Sequence, residues 1–317
     1  MARVCSGAAI SAAGPHIKGA IETAASGFPD CSIHGSVVLL FIDQLINQPS
    51  NQATKQPSNQ LLTQLTTTMF SGKATIITGA NKNLGKQTAV AFAKEGSDLL
   101  LHYHSSSSAA ETKKLAEDLA KEYGVKTATY QGDLSTEDAN SALFDLGIKS
   151  FGKVDYAINN VGMVLRKNLV DISLDEYNKM FSVNVTASFL FLKEAEKKLA
   201  EDGSVVMLTT SLLGAYTDGY SVYQAAKSAV YWMTKTASKE TKKKITYNCI
   251  SPGPMDTPFL YGQENDQRIA FFKTQAVNGR LTEVEDIVPI IKFIVKDGKW
   301  MTGQNLYANN GFTAPSA

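Results

Sequence analysis

Tyr223 and Lys227 are a pair of side chains whose types and spacing could carry out acid–base chemistry. They stand four residues apart in the stretch Tyr-Gln-Ala-Ala-Lys, and positions i and i+4 lie on one face of a helix. An ammonium group close to a phenol favours the phenolate and lowers the tyrosine pKa from its usual value of about 10. The spacing therefore predicts a tyrosine general acid/base. The alternative is a solvated lysine on an ordinary amphipathic helix.

The composition limits the classes of function that the chain can have. The sequence has 317 residues, a formal net charge of +1 and 44% hydrophobic residues, values typical of a globular α/β protein. Its densest basic run, residues 242–244, is only three lysines long. Nucleic acid is therefore not an expected partner.

The positions of cysteine and histidine argue against a metal site. Cys5, Cys31 and Cys249 are far apart and odd in number, so they predict a reducing compartment with no disulfide framework. The four histidines all lie at or before residue 104. No histidine is therefore available downstream for a zinc site or for a Ser-His-Asp hydrolase.

The first 68 residues differ in composition from the rest of the chain. The sequence Gln-Pro-Ser-Asn-Gln at residues 48–52 recurs at residues 56–60 within a tract of Gln, Asn, Ser and Thr. Such a tract cannot bury a core, so residues 1–68 are predicted to be a disordered leader and residues 69–317 the folded domain. Neither a membrane span nor a secretory signal is recognisable in it. We therefore predict a cytoplasmic location, with a mitochondrial leader as the alternative.

From residue 69 onward, short apolar strands alternate with helices. Strands are predicted at residues 73–78, 98–104, 126–131, 154–158, 204–209, 245–250 and 305–308, and helices at 84–95, 109–123, 137–150, 174–199, 222–239 and 283–295. This alternation predicts a Rossmann-type, doubly wound parallel sheet in a single α/β domain. Ligands of such sheets bind beyond the carboxyl ends of the strands, so the residues that follow each strand are the candidates for a site.

The first predicted strand is followed by a turn of small residues that could hold a phosphate. Residues 78–85 read Thr-Gly-Ala-Asn-Lys-Asn-Leu-Gly, and such a turn brings backbone N–H groups and a helix N-terminus close to a pyrophosphate. Asn83 occupies the position of the middle glycine in a three-glycine pattern. Asparagine tolerates the left-handed region better than most residues do, so we expect the turn to survive.

Taken together, the motifs resemble those of the short-chain dehydrogenase/reductase family, over essentially all of residues 69–311. The resemblance rests on the glycine turn, on Asn159-Asn160-Val161-Gly162 after the fourth strand, and on Tyr223-x-x-x-Lys227. Further matches are Asp133, Asn184, Ser211, Pro252-Gly253 and Thr257. The resemblance implies an oxidoreductase that transfers a hydride to or from a nicotinamide cofactor.

The resemblance also implies catalytic roles. Tyr223 would donate a proton to a carbonyl oxygen during reduction, or accept one during alcohol oxidation. Lys227 would lower the tyrosine pKa and hold the ribose hydroxyls of the nicotinamide half. Asn184 would hold a water in a proton relay, with plain helix packing as its alternative.

Ser211 would hydrogen-bond the substrate oxygen. It stands twelve residues before Tyr223, about one residue fewer than the family often shows. Thr209 and Thr210 therefore remain competitors for the role.

The implied cofactor is NADP(H) rather than NAD(H). The second strand ends in His-Tyr-His followed by four serines, with no carboxylate to repel a 2′-phosphate, and Lys82 offers a cation. Asp133 could instead cap a helix, and Thr257 could be a simple turn residue. The cofactor contacts implied are Gly79, Asn81, Lys82, Asn83, Leu84, Gly85, His104, Ser105, Asp133, Leu134, Asn160, Val161, Gly162, Tyr223, Lys227, Pro252, Gly253 and Thr257.

The expected function is NADP(H)-dependent reduction of a ketone or aldehyde. Residues 258–279 are apolar and aromatic and correspond to the specificity segment of the family, which indicates a hydrophobic carbonyl substrate. One alternative is an NAD-linked alcohol or sugar dehydrogenase working in the oxidative direction. Another is a catalytically silent dinucleotide-binding sensor, which Asn83 and Asn309-Asn310 would fit. The family commonly forms homotetramers or homodimers through central helices, which the apolar residues Phe189, Leu190, Leu192 and Ala195 would suit.

Overall fold

The computed structural model describes residues 68–313 of the chain. The predicted leader lies outside these residues except for Thr68, and the boundary at residue 69 stays a prediction.

Among the described residues, seven strands form one parallel sheet. Their order across the sheet is β3-β2-β1-β4-β5-β6-β7, and every neighbouring pair runs parallel. The sequence-based fold class, a Rossmann-type doubly wound sheet, is confirmed. The strands are β1 (Ala74–Ile77), β2 (Asp98–Tyr103), β3 (Thr127–Gln131), β4 (Tyr156–Asn159), β5 (Ser204–Leu208), β6 (Thr246–Pro252) and β7 (Asn305–Ala308).

Helices connect the strands and cover both faces of the sheet. In residues 68–313 they are α1 (Asn83–Lys94), α2 (Ala109–Tyr123), α3 (Glu137–Phe151), α4 (Leu174–Phe181), α5 (Ala187–Lys198), α6 (Ser221–Glu240), α7 (Pro258–Tyr261), α8 (Asp266–Gln275) and α9 (Val284–Lys296). Within the same residues, none of the helices combines the length and the apolar character that crossing a membrane requires.

The core consists of one apolar layer on each face of the sheet. Successive side chains of a strand point to opposite faces, and β1 shows the consequence directly. Ile77 packs with Phe92 of α1 in one buried cluster, whereas Ile76 packs with Phe144 of α3 in the other. Because both faces are covered, the strands read as nearly continuous apolar runs.

The strand order reverses between β1 and β4, which places a crevice at the carboxyl ends of these strands. The chain moves outward in one direction from β1 to β3 and in the other from β4 to β7. Helices on opposite faces separate at such a switch point and leave room for a ligand. The candidate residues follow β1, β4, β5 and β6, at that same edge.

Two local features differ from the sequence-based expectation. The helix predicted over residues 174–199 is interrupted by a π-helical turn, Ser182–Thr186, between α4 and α5. Segment 258–279, for which the sequence predicted only an apolar and aromatic character, contains the short helices α7 and α8. A π turn inserts a residue without breaking the apolar periodicity on either side, so the sequence pattern alone does not reveal it.

Candidate active site

One large cavity lies at the carboxyl edge of the sheet. Its volume is about 1000 Å³, and it extends from the glycine turn after β1 to α7 and α8. Most of the sequence-predicted residues contribute to its wall. They are Gly79, Asn81, Lys82, Asn83, Leu84, His104, Ser105, Asp133, Leu134, Asn160, Val161, Gly162, Ser211, Tyr223, Lys227, Pro252, Gly253 and Thr257.

Helix α6 carries Tyr223 and Lys227 into the middle of this wall. Both residues are buried, with 7% and 5% of their surface exposed, and both face the cavity. The Lys227 Nζ donates a hydrogen bond to the backbone oxygen of Leu208 at the end of β5, at 2.8 Å. The lysine is thereby held in place by the sheet rather than free in solvent.

The electrostatics of the pair differ from the sequence-based expectation. Burial raises the pKa of Tyr223 to about 12, although an interaction with the Thr210 hydroxyl acts in the opposite direction. Burial also lowers the pKa of Lys227 to about 8. The net shift of the Tyr223 pKa is therefore upward, opposite to the direction expected from Lys227. Removal from water disfavours the charged form of each group, and burial is the largest cause of both shifts.

The three hydroxyl groups of the Thr-Thr-Ser segment after β5 make different contacts. Ser211 is 2% exposed, and its Oγ donates to the backbone oxygen of Ser251 at 3.3 Å. Thr209 is likewise buried and donates to the backbone oxygen of Ile250. Thr210 is half-buried and interacts with the phenol of Tyr223, whereas all three residues line the cavity. Of the three competitors, Thr210 therefore has the hydroxyl closest in role to the one that the sequence assigned to Ser211.

Asn184 lies in the π-helical turn and anchors the loop that follows β4. Its Nδ2 donates to the backbone oxygens of Met163 and Met180, and its Oδ1 accepts from the Met163 N–H at 3.2 Å. The side chain is fully buried and does not reach the cavity wall. A methyl group at Gly162 would come within 2.9 Å of Asn184 Oδ1 and 3.1 Å of Lys227 Nζ. Gly162 is therefore required where this loop passes the lysine.

The glycine turn has the tight geometry that its sequence predicts. Gly79 and Asn83 both have positive φ, 60° and 47°, so Asn83 adopts the left-handed conformation expected of it. Gly85 does not line the cavity, but a Cβ there would lie 2.1 Å from the Gly79 oxygen. Lys82 precedes α1 and makes no side-chain cap. The first N–H groups of α1 are thus directed at the cavity without a capping side chain.

His102 is a structural part of the site that the motif analysis missed. Its Nδ1 accepts from the Gly79 N–H at 3.2 Å and its Nε2 donates to the Gly132 oxygen at 3.0 Å. The ring thereby joins the glycine turn to the loop after β3. Burial lowers its pKa to about 4, so the ring is neutral at physiological pH. Strand periodicity could have found it, since His102 alternates with Leu101 and Tyr103 and must point into the opposite face.

The residues after β2 and β3 form the far end of the cavity. His104 and Ser105 are exposed there, and Asn81 donates to the Ser108 hydroxyl across the gap. Asp133 accepts hydrogen bonds from the N–H and the hydroxyl of Ser135. The bond from the N–H is the main cause that lowers the pKa of the Asp133 carboxyl. The aspartate does not cap α3, because Thr136 caps it instead.

Pro252, Gly253 and Thr257 bring the end of β6 to the opposite side of the cavity. A methyl group at Gly253 would lie 2.5 Å from Thr282 Oγ1, so the chain can pass only as glycine. Thr257 is 6% exposed and precedes Pro258 at the start of α7. Its position is therefore compatible both with a cavity contact and with the turn role that the sequence left open.

Residues 258–279 and the loops facing them form an apolar end of the cavity. Many apolar side chains of these segments line it, whereas Tyr261, Leu165 and Leu213 do not. The lining set is Met163, Val164, Leu212, Tyr216, Phe259, Leu260, Phe271 and Phe272.

Comparison with known proteins finds relatives that match about three quarters of this chain. A family model described as enoyl-(acyl carrier protein) reductase matches residues 79–313. A short-chain type dehydrogenase/reductase of Picea abies is 29% identical over 251 residues, which span 76% of this chain and 92% of its own. An Arabidopsis thaliana protein named NADPH-dependent aldehyde reductase 2, chloroplastic, is 30% identical over 257 residues, which span 76% and 94%.

A solved structure has the same fold at higher identity. A Burkholderia cenocepacia protein named as a dehydrogenase and solved with bound NADP is 40% identical, with a TM-score of 0.75. The match covers 81% of this chain and 99% of that one.

Proposed function

The chain belongs to the short-chain dehydrogenase/reductase family of oxidoreductases, and we propose that it uses NADP(H) to reduce a ketone or aldehyde to an alcohol. The observation that carries the proposal is the buried Tyr223, which faces the cavity beside Lys227. A phenol whose pKa is about 12 keeps its proton at neutral pH, so Tyr223 is suited to donate a proton to a carbonyl oxygen.

NADP(H) fits the residues that surround the far half of the cavity. The uncapped N-terminus of α1 suits a pyrophosphate, and Lys82, His104 and Ser105 would receive a 2′-phosphate. The end of β2 presents no carboxylate to repel that group. The NADP bound by the Burkholderia protein and the name of the Arabidopsis relative support the same choice.

The nicotinamide supplies the hydride when the cofactor is bound, and the side chains of the chain manage the proton and the substrate oxygen. Lys227, held by the Leu208 oxygen, would bind the ribose hydroxyls and keep positive charge near the phenol. Thr210 would hydrogen-bond the substrate oxygen, with Ser211 held back by Ser251. Asn184 would support a proton relay through the loop that it anchors.

The apolar end of the cavity favours a neutral, hydrophobic carbonyl compound. The wall is aromatic and aliphatic, and the charged residue of this end, Arg268, is already paired with Asp218 and Glu264. An anionic substrate would therefore have to break an existing ion pair.

The structure removes one of the two reasons for the alternative function, a catalytically silent dinucleotide-binding sensor. The first reason was the asparagine at residue 83, but Asn83 adopts the positive φ that a glycine would have there. Asn309, the second, is buried and donates to the Thr313 hydroxyl. Asparagine in place of the middle glycine therefore leaves the turn intact and gives no reason to expect a loss of catalysis.

The test is a parallel titration of the purified full-length chain with NADPH and NADH, followed by nicotinamide fluorescence. A panel of aliphatic, aromatic and keto-ester carbonyls is then added, and NADPH oxidation is measured. We expect tighter binding of NADPH and carbonyl-dependent oxidation. NADH preference, or tight binding without turnover of any carbonyl, would contradict the proposal.

The same assay tests the role of Tyr223. Tyr223→Phe should lower kcat by about 10³-fold or more because the proton donor is lost, with NADPH affinity within about threefold. Tyr231→Phe is the matched control, since it removes from the same helix a hydroxyl that accepts a hydrogen bond from the exposed Lys235. If Tyr223→Phe kept the wild-type kcat, Tyr223 would not be the proton donor.

A further inference from the structure

The segment formed by α7 and α8, residues 258–275, closes the apolar end of the cavity and has a small core of its own. We call this segment the lid. Its buried apolar residues, Ile269 and Phe272, cluster with Leu281, Leu260 and Phe312. Tyr220 and Tyr223 belong to a separate cluster, with Met180 and Ala226. The position of the lid over α6 therefore depends on contacts other than a shared apolar core.

Glu264, between α7 and α8, supplies the central contact of this kind. Its carboxylate has no exposed surface, and its Oε1 accepts a hydrogen bond from the Tyr220 hydroxyl at 2.5 Å. The Nε atoms of Arg166 and Arg268 both lie 3.5 Å from its Oε2. A buried carboxylate thus meets one phenol and two guanidinium groups.

Asp218 completes the cluster on its exposed side. Its two carboxylate oxygens receive Arg166 at 2.7 Å and Arg268 at 2.9 Å. Two cations therefore meet two anions, so the cluster is neutral as a whole. Glu264 is the buried member, and removing its charge would leave the two guanidinium groups with only the exposed Asp218 carboxylate as a partner, which is unfavourable.

The cluster joins three separate parts of the chain at the mouth of the cavity. Arg166 follows β4, Asp218 and Tyr220 precede α6, and Glu264 and Arg268 belong to the lid. Tyr220 is the N-cap residue of α6, and its ring lies 6.0 Å from that of Tyr223. The first turn of the helix that bears the phenol is thus tied directly to the lid.

We propose that Glu264 is a positioning residue that fastens the lid to the N-terminus of α6 and so fixes the substrate pocket relative to the Tyr223 phenol. The inference rests on the proposed function for its kinetic consequence, but the fastening itself does not depend on turnover. Neither Glu264 nor Asp218 reaches the cavity wall, so Glu264 acts through Tyr220 and Arg268 and not on substrate.

The test compares Glu264→Gln with Asp266→Asn in the full-length chain. Both changes remove one charge from the same lid with little change of shape, but Asp266 is exposed and lies outside the cluster. Backbone hydrogen exchange of residues 258–275 should become faster by about tenfold or more in Glu264→Gln alone. NADPH affinity should stay within about threefold, and KM for the best carbonyl of the panel should rise about tenfold with a smaller change in kcat.

Tyr220→Phe is the second variant, since it removes only one hydrogen bond from Glu264 and should show the same exchange pattern in weaker form. Unchanged lid exchange in both variants, or equal acceleration in Asp266→Asn, would overturn the proposal. If no carbonyl is reduced even by the wild type, the proposed function fails, while the exchange measurement still decides the role of Glu264.

Discussion

At the scale of single residues, the competition between hydroxyl groups after β5 leads to a direct test. Thr210→Val removes the hydroxyl that faces Tyr223 and should lower kcat/KM by about 10²-fold. Ser211→Ala removes a hydroxyl that is bonded to Ser251 and should leave kcat/KM within about threefold. Steady-state kinetics on one carbonyl substrate compares the two variants. The reverse order of effects would restore the role to Ser211.

His102 leads to a prediction about stability and pH. Its pKa is about 4 in the folded chain against 6.5 for the free side chain, so the unfolded chain binds its proton first as pH falls. The stability that the neutral ring contributes is complete above pH 6.5 and is lost progressively down to about pH 4. Between pH 7 and 4.5 the loss amounts to roughly 2 to 3 kcal/mol from this group alone.

Urea unfolding at the two pH values measures the loss. His102→Gln removes the titrating group and should reduce the pH dependence of the unfolding free energy, at the expense of some stability at pH 7. His104→Gln is the control because His104 is exposed. If His102→Gln kept the wild-type pH slope, the ring would not be the neutral brace between Gly79 and Gly132.

At the scale of elements, the glycine turn shows how one residue sets the start of a helix. Asn83 has φ 47°, a conformation that a β-carbon disfavours. Asn83→Gly should therefore raise the free energy of unfolding by up to about 1 kcal/mol, and Asn83→Ala should lower it by about 1 kcal/mol. NADPH affinity should follow the same order. Thermal unfolding with and without NADPH measures both, and equal effects of the two variants would contradict this account.

The helix predicted over residues 174–199 shows how the tertiary structure can alter an element. Its apolar periodicity correctly predicted helical structure, since α4 and α5 together occupy most of the range. Asn184 stabilises the π turn between them through hydrogen bonds to the backbone of Met163, in the loop after β4. A contact between residues 21 positions apart cannot be read from helical periodicity.

At the scale of the whole molecule, the homodimer or homotetramer stays a prediction. The structure reduces the number of residues that could form its interface. Of the four apolar residues proposed for it, Leu190, Leu192 and Ala195 are buried in the core, whereas Phe189 is 48% exposed. Trp232 on α6 is 59% exposed. These two aromatic rings would suit burial at an interface through α5 and α6.

Light scattering coupled to gel filtration tests the assembly. The double variant Phe189→Glu and Trp232→Glu should reduce the mass to that of one chain, because charges are poorly tolerated in the core of an interface. Trp300→Glu is the control, since Trp300 is fully exposed and belongs to neither helix. A double variant with the wild-type mass would exclude this surface. The predicted cytoplasmic location is a separate prediction, because it depends on the leader outside the described residues.

The sequence by itself determined the fold class, the family and the general position of the site. Alternating strands and helices specify a parallel sheet through local periodicity alone, and the glycine turn and the Tyr/Lys pair are short-range patterns that survive in any tertiary context. For the same reason Asn83 could be judged compatible with the turn before its φ was known. The absence of a carboxylate after β2 likewise predicted NADP(H), in agreement with the NADP-bound relative.

Only the tertiary structure decided the electrostatics and the exact partners within the site. The pKa of Tyr223 moves opposite to the sequence-based expectation because burial, a property of the packed fold, raises it. Thr210 and Ser211 are adjacent in sequence, but the Ser211 hydroxyl is bonded to Ser251 of β6 and the Thr210 hydroxyl interacts with Tyr223. The roles of His102 and Glu264 arise from contacts across 30 and 44 positions of the chain. Desolvation and long-range contacts do not leave a periodic trace in the sequence, and for that reason they had to be found in the structure.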